Sequence, residues 1–121
     1  MGLDMYACTM TVMPSTAVDF EAEDETQLHY WRKHPNLHGW MHRLYRHKGG
    51  TDSEFNCVNL QLTEADLKAL ETAILANALP LTSGFFFGQS DGSEAADDLA
   101  FIAKARAALA EGLCVFYTSW W

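Results

Sequence analysis

Residues 29–48 are the stretch that most limits how this chain can fold. They hold all five histidines, two of the four tryptophans and five of the eight lysines and arginines, without one acidic residue. Aromatic side chains at this density have to pack, whereas the cationic groups need water or polar partners. The stretch is therefore expected where a core meets a wet surface, and a cationic island in an acidic protein marks a place where a ligand or partner could dock.

Proline and glycine divide this region into two predicted short helices. The first runs over about 24–33 and ends before Pro35, because the residue before a proline disfavours the helical backbone. The second runs over about 36–47 and ends at Gly49-Gly50. An apolar stripe at helical spacing gives the second helix a core-facing side, formed by Leu37, Trp40, Met41 and Leu44.

The rest of the chain predicts an α+β fold. Thr63, with Asp66 three residues later, has the pattern of a helix N-cap and capping box. We expect a small, mainly antiparallel sheet of three to four strands packed with two long and two short helices, with the first and last strands in the same sheet. The remaining predicted elements are strands at about 3–13, 55–62 and 113–121 and long helices at about 64–79 and 93–111.

The overall composition limits the class of protein. At 121 residues, 49% of them hydrophobic, the chain is expected to form a single domain over residues 1–121. A formal charge of −8 makes direct nucleic-acid binding unlikely, because neutralising phosphates needs a basic surface, although an acidic protein can imitate nucleic acid toward a basic partner. We find neither a signal-peptide pattern nor an apolar run near the ~18 residues of a membrane span, so we expect a cytoplasmic protein that does not bind membranes.

The cysteines favour a reducing compartment. Cys8, Cys57 and Cys114 are odd in number and far apart, and each lies in a strand-like run. Buried thiols in such runs usually stay reduced. We expect three unpaired, buried cysteines.

His38 and His42 are weak candidates for a metal site. Two histidines at i and i+4 on one helical face have suitable geometry for two zinc ligands. The usual helical motif has a glutamate after the first histidine, where this chain has Gly39, and the sequence offers no evident third ligand nearby. We therefore expect no metal and no cofactor.

Five acids crowd residues 19–25, just before the cationic stretch. One interpretation is a solvated loop or helix start, in which the acids have no specific partner. The other is an electrostatic partner for the cationic island downstream.

Several short motifs are spread over nearly the whole chain. They are Gly2-Leu-Asp-Met-Tyr6, Tyr30-Trp-Arg-Lys33, Leu37-His38, Trp40, Leu79-Pro80, Ser83-Gly-Phe-Phe-Phe-Gly88, Tyr117 and Ser119-Trp120. With this combination of motifs the chain resembles a family of small phage and prophage proteins. The resemblance implies a phage origin, and hence the host cytoplasm as its location, and it points to no catalytic residue.

The residue types in these motifs stack on planar ligands, neutralise anions and dominate protein interfaces. We therefore expect a non-enzymatic phage accessory protein that binds a host protein or a small anionic, nucleotide-like ligand. It could act as an inhibitor of host defence. Formation of a homodimer is a further possibility. The alternative is a small hydrolase or nucleotide-processing enzyme that uses His38 as acid or base. The expected binding residues are Tyr30, Trp31, Arg32, His38, Trp40, Phe86, Tyr117 and Trp120.

We expect Tyr30, Arg32, His38 and Trp40 to converge with the Phe85–Phe87 loop or the Tyr117–Trp120 end around one concave, locally cationic site. A partly wet cleft would satisfy both the aromatic and the cationic groups. The competing interpretation makes Trp31 and Trp40 core residues, scatters the basic groups over the surface and has the acids at 19–25 neutralise them.

Overall fold

The first and last strands of the chain lie side by side at the centre of a four-stranded antiparallel sheet. The computed structural model describes residues 2–84 and 87–121. The elements in chain order are β1 (Asp4–Met10), β2 (Thr26–Arg32), α1 (Pro35–His47), β3 (Leu60–Leu62), α2 (Glu64–Leu75), α3 (Ala95–Ala110) and β4 (Cys114–Trp120). Within the described residues the sheet has the order β2-β1-β4-β3, and three helices complete the fold.

The α+β class and the antiparallel sheet are confirmed, including the shared sheet of the first and last strands. The predicted count of two long and two short helices is wrong, because the segment expected as a helix over 24–33 is β2. His29 and Trp31 are buried there while Tyr30 and Arg32 are exposed, which is the alternation of a strand with one buried face. Pairing along β1, with a bulge between Ala7 and Cys8, outweighs the local helical pattern.

The predicted strand over 55–62 is reduced to β3. Phe55 and Cys57 have φ angles of 47° and 60°, in the left-handed region. Such residues break a strand, because extended pairing needs negative φ. The ladder with β4 therefore begins only at Leu60, opposite Tyr117.

Helix α1 is confirmed, but its buried side differs from the predicted stripe. His38 and Tyr45 point into the core, whereas Trp40 and Leu44 are only half-buried. The predicted start of α2 is also confirmed. Thr63 accepts a hydrogen bond from the Asp66 amide, and the Asp66 carboxylate accepts one from the Thr63 amide.

The sheet separates a large core from a small one. The large core lies on the helix side and is built around side chains such as Leu37, Leu67, Phe101 and Tyr117. The small core lies on the outer face, where Phe20 packs edge-on against Phe116 with ring centroids 5.4 Å apart. None of the helices in the described ranges is long and apolar enough to cross a membrane.

Candidate functional site

The structure does not bring the expected binding residues together at one site. They divide into an outer-face group, a buried group and one residue on the far side of α1. One of the eight lies outside the described residues. The outer-face group is Tyr30, Arg32 and Trp120, the buried group is Trp31, His38 and Tyr117, the separate residue is Trp40, and the residue outside the described ranges is Phe86.

The outer-face group forms two rows across the three strands β2, β1 and β4. In the first row Asp4 lies opposite Arg32 on one side and Trp120 on the other. In the second row Tyr6 lies between Tyr30 and Thr118. Directly opposed residues of an antiparallel sheet share a face, so these two rows make one continuous surface. We call it the aromatic face.

Hydrogen bonds hold the β2 edge of the aromatic face in place. The Asp4 Oδ1 atom accepts hydrogen bonds from the Tyr30 hydroxyl at 2.6 Å and from the Arg32 Nη1 group at 2.7 Å. The hydroxyl of Tyr30, followed by the Arg32 guanidinium, lowers the pKa of Asp4, and the same hydrogen bond raises the pKa of Tyr30. The rings of Tyr6 and Tyr30 pack with centroids 5.3 Å apart. The face is thus ordered before any partner arrives.

The chain covers only part of this side of the sheet. Phe20 and Ala22 pack against the small core at Cys8 and Phe116, and Tyr6 packs there too. In the two rows Asp4, Tyr6 and Thr118 are half-buried, whereas Tyr30, Arg32 and Trp120 are exposed. Trp120 is 64% exposed and Tyr30 is 42% exposed. Next to Trp120 lies a cleft of about 330 Å³ that is lined by Tyr6, Ala22, Glu25, Cys57, Asn59, Thr118, Ser119 and Trp120.

The acids at 19–25 are all exposed, and Glu25 lines the cleft beside Trp120. Among the described residues, no ion pair joins these acids to the lysines and arginines of the cationic stretch. Two cations of the stretch pair with other carboxylates, Arg32 with Asp4 and Lys48 with Asp66. Contact between the two segments is made by Asp19, which accepts a hydrogen bond from the Tyr45 hydroxyl at 2.8 Å.

The buried group belongs to the large core. The Nδ1 atom of His38 lies 2.7 Å from the Tyr117 hydroxyl, and its ring packs on Phe55 and Phe87. Burial, with a smaller effect of His42, lowers the pKa of His38 to about 3, so the imidazole is neutral at pH 7. Because only 2% of His38 is exposed, it has a structural place in the core.

His42 continues this aromatic layer. Its ring stacks on Phe55 with centroids 4.8 Å apart, and burial, followed by the neighbouring Arg46, lowers its pKa. Its Nε2 atom is buried and has no hydrogen-bond partner among the described residues. Within those residues, no three His, Cys, Asp or Glu side chains come together as a metal site would require.

Trp40 lies on the opposite side of α1 from His38. It lines an open groove of about 450 Å³ together with the cationic side chain of Arg43 and with His47, Ala73 and Pro80. Trp40 is half-buried and packs against the large core from outside. It serves mainly as a wall, and of the expected binding residues that the structure describes, no other lines this groove.

Sequence reasoning missed Asp4 and Tyr6 as members of the aromatic face. The signal was present, because Asp4, Tyr6 and Cys8 alternate with the buried Met5 and Ala7 along β1. Alternation with a period of two would have placed Asp4, Tyr6 and Cys8 on one face of the strand. Which residues of other strands join them depends on register, which the local sequence does not reveal.

Comparison of the chain with protein-family models, curated proteins and solved structures finds no match.

Proposed function

We propose that this protein is a phage accessory protein whose aromatic face binds a host protein that presents a basic surface, a role that needs no catalysis. The observation that carries the proposal is the exposure of Trp120 on an ordered part of the sheet. Trp and Tyr are the side chains that most often dominate binding energy at protein interfaces. The phage origin rests on the resemblance of the sequence motifs.

The charges around the face favour a basic partner. Glu21, Glu23, Asp24 and Glu25 are exposed on the segment that borders it, and the protein carries a formal charge of −8. Lysine and arginine side chains of a partner could pack on the Trp120 ring while pairing with these carboxylates. A protein that normally binds nucleic acid has such a surface, which suits an inhibitor of host defence that imitates nucleic acid.

A small anionic ligand is less well supported at this face. The one cation in the two rows, Arg32, is already bonded to Asp4. An incoming anion would have to compete with that carboxylate and with the neighbouring acids. The enzymatic alternative built on His38 is also less well supported, because the hydroxyl next to its imidazole, that of Tyr117, is itself fully buried in the core.

Parallel capture from host lysate tests the proposal. The wild-type protein, Trp120→Ala and Leu75→Ala are immobilised and the retained proteins are identified by mass spectrometry. Leu75 is 70% exposed at the end of α2, so its replacement is a matched control for loss of exposed apolar surface. We expect a basic protein to be retained by the wild type and Leu75→Ala and to be lost from Trp120→Ala.

Binding of the purified partner then tests the role of charge. Glu25→Gln should slow association and weaken its dependence on salt, with little effect on the dissociation rate, because rim charges steer encounter. Equal retention by all three immobilised proteins, or a captured partner with an acidic surface, would contradict the proposal. Sedimentation of the protein alone shows whether a second copy occupies the face, in which case Trp120→Ala would convert a dimer into a monomer.

A further inference from the structure

A second cluster of polar side chains lies on the helix side of the sheet, away from the aromatic face. The Ser90 Oγ atom is 2.6 Å from the His34 Nδ1 atom, and the His34 Nε2 atom is 2.8 Å from the Asp98 Oδ2 atom. The other carboxylate oxygen of Asp98 accepts a hydrogen bond from the Trp31 Nε1 group at 3.0 Å. The cluster thus joins a hydroxyl, an imidazole and a carboxylate in series.

We propose that Ser90, His34 and Asp98 form a nucleophilic site that hydrolyses short carboxylic esters. The activity would be additional to partner binding and does not depend on it. A hydroxyl bonded to an imidazole that is itself oriented by a carboxylate is the arrangement that activates serine nucleophiles on unrelated folds.

The hydrogen bonds assign a role to each group. A carboxylate oxygen can only accept, so the proton on the imidazole lies on Nε2 and points at Asp98. The Nδ1 atom is then the acceptor for the Ser90 hydroxyl. Compared with the familiar serine triad, the two ring nitrogens have exchanged places, but the sequence of donors and acceptors is the same.

Burial separates the supporting groups from the reacting one. His34 is 3% exposed and Asp98 is 1% exposed, so their hydrogen bond is shielded from water. Ser90 is half-buried and lines two adjoining clefts of about 50 and 510 Å³. The larger lies between the start of α1 and the segments 81–83 and 88–90, and its volume is in the range of small-molecule sites.

Asn36 supplies donors on both sides of the nucleophile. Its backbone N–H donates to the Ser90 Oγ atom at 3.1 Å and would stabilise negative charge that develops there. Its side chain lines both clefts, and its Oδ1 atom accepts a hydrogen bond from the Thr82 amide. The Nδ2 group is therefore the part of this side chain left to donate to the carbonyl oxygen of a substrate.

The reaction balances with water as the only co-reactant. The Ser90 Oγ atom attacks the ester carbonyl carbon while its proton passes to His34 Nδ1. The tetrahedral intermediate collapses, the carbon–oxygen bond to the alcohol breaks, and the leaving alkoxide takes the proton from Nδ1. Water then attacks the acyl-serine, again losing a proton to Nδ1, and the carboxylic acid leaves as Ser90 regains its hydrogen.

Charge near the site selects the substrate class. The Glu94 Oε2 atom lies 4.0 Å from His34 Nδ1 and can stabilise the imidazolium that forms during the reaction. With Asp98 also close by, the site is acidic and disfavours substrates that carry a carboxylate or phosphate. The substrates that fit are neutral or cationic esters with a short acyl chain.

Covalent labelling of the intact protein tests the site. A fluorophosphonate probe is added to the folded wild type, and the modified residue is located by peptide mass spectrometry, alongside measurement of p-nitrophenyl acetate hydrolysis. We expect one label on Ser90, and none on the urea-unfolded chain. Ser90→Ala should abolish labelling, and Ser90→Ala and His34→Gln should each lower ester turnover by about two orders of magnitude or more.

Ser53→Ala is the matched control, because Ser53 is an exposed serine that is not among the residues lining either cleft. It should leave labelling and turnover unchanged. Because the label is mapped on the wild type, the result does not depend on whether Ser90→Ala folds. No labelling, labelling spread over several serines, labelling that survives His34→Gln at the wild-type rate, or labelling without turnover would each overturn the inference. Loss of partner binding in Trp120→Ala has no bearing on it.

Discussion

The His38 Nδ1 atom lies 2.7 Å from the Tyr117 hydroxyl inside the large core, and this hydrogen bond joins α1 to the central strand β4. Both side chains are almost fully buried. Burial raises the pKa of Tyr117 well above its usual value and lowers that of His38, so neither group is charged at neutral pH. The pair is a neutral polar connection in an otherwise aromatic layer.

Substitutions of the two partners should have non-additive effects on the free energy of unfolding. Tyr117→Phe leaves the buried His38 Nδ1 atom without a partner and should lower the free energy of unfolding by about 1–3 kcal/mol. The double variant His38→Leu with Tyr117→Phe has no such atom and should be more stable than the two single effects together predict. Urea unfolding of the four proteins measures this, and strictly additive effects would contradict it.

The low pKa of His38 should make the protein acid-sensitive. Its pKa is about 3 in the folded protein and 6.5 in the absence of the fold, so the unfolded chain binds the extra proton between these values. Stability is therefore fully present above about pH 6.5 and falls on acidification by up to about 1.4 kcal/mol per pH unit.

His38→Gln should flatten this dependence, since glutamine does not titrate but can still bond to Tyr117. The measurement is the free energy of unfolding of wild type and variant between pH 7 and pH 4. The carboxylates contribute equally to both proteins, so the difference between the two curves isolates His38. Parallel curves would show that His38 is not responsible.

Gly39→Ala should destabilise α1, against the usual preference of helices for alanine. In an open helix this change is favourable by about 1 kcal/mol. Here a Cβ atom on Gly39 would lie 1.9 Å from the Thr82 Oγ1 atom and 2.9 Å from its Cβ atom. We expect a loss of about 1–3 kcal/mol by thermal unfolding, from overpacking.

Thr82→Ala in the same chain should recover part of that loss, because it removes the Oγ1 atom that meets the new methyl group. Thr82→Ala alone sets the baseline for this comparison. If Gly39→Ala raised the melting temperature, the contact between α1 and segment 81–83 described above would be wrong.

The cysteines should differ in reactivity toward a thiol reagent. All three are unpaired, but Cys8 and Cys114 are buried and Cys57 is exposed, so the prediction of three buried thiols is wrong for Cys57. Burial, together with Glu25, raises the pKa of Cys8 to about 11, and burial raises that of Cys114. A chromogenic thiol reagent at pH 8 should react quickly with one thiol per folded chain and with three after denaturation. A single reactive thiol after denaturation would reveal a disulfide.

Local signals in the sequence were sufficient for α1, α2 and β4. The Thr63 and Asp66 capping box and the apolar spacing of α1 act within one or two helical turns, so neighbouring residues determine them. The segment of β2 was predicted as a helix because a run of seven residues with several aromatic side chains fits both the helical and the strand period. Pairing with β1, which lies earlier in the chain, makes this segment a strand.

The candidate sites depended still more on tertiary register. Trp120 neighbours Asp4 only because the two outermost strands in the sequence are adjacent in the sheet. Ser90 meets His34 across 56 residues, and Asp98 meets it across 64. No spacing rule along the chain connects such residues, so sequence patterns identified residue types and left their grouping open.

The pairing of β1 with β4 also affects how the chain can reach its fold. Asp4 and Trp120 are direct neighbours although nearly the whole chain lies between them. During synthesis β1 can pair only with β2 until β4 has left the ribosome, and an isolated two-stranded hairpin is marginally stable. Closing so long a loop costs entropy before its contacts are gained. We therefore expect the central ladder to form late and folding to be slow for a chain of this size, with the nascent β1 edge exposed meanwhile to other strands.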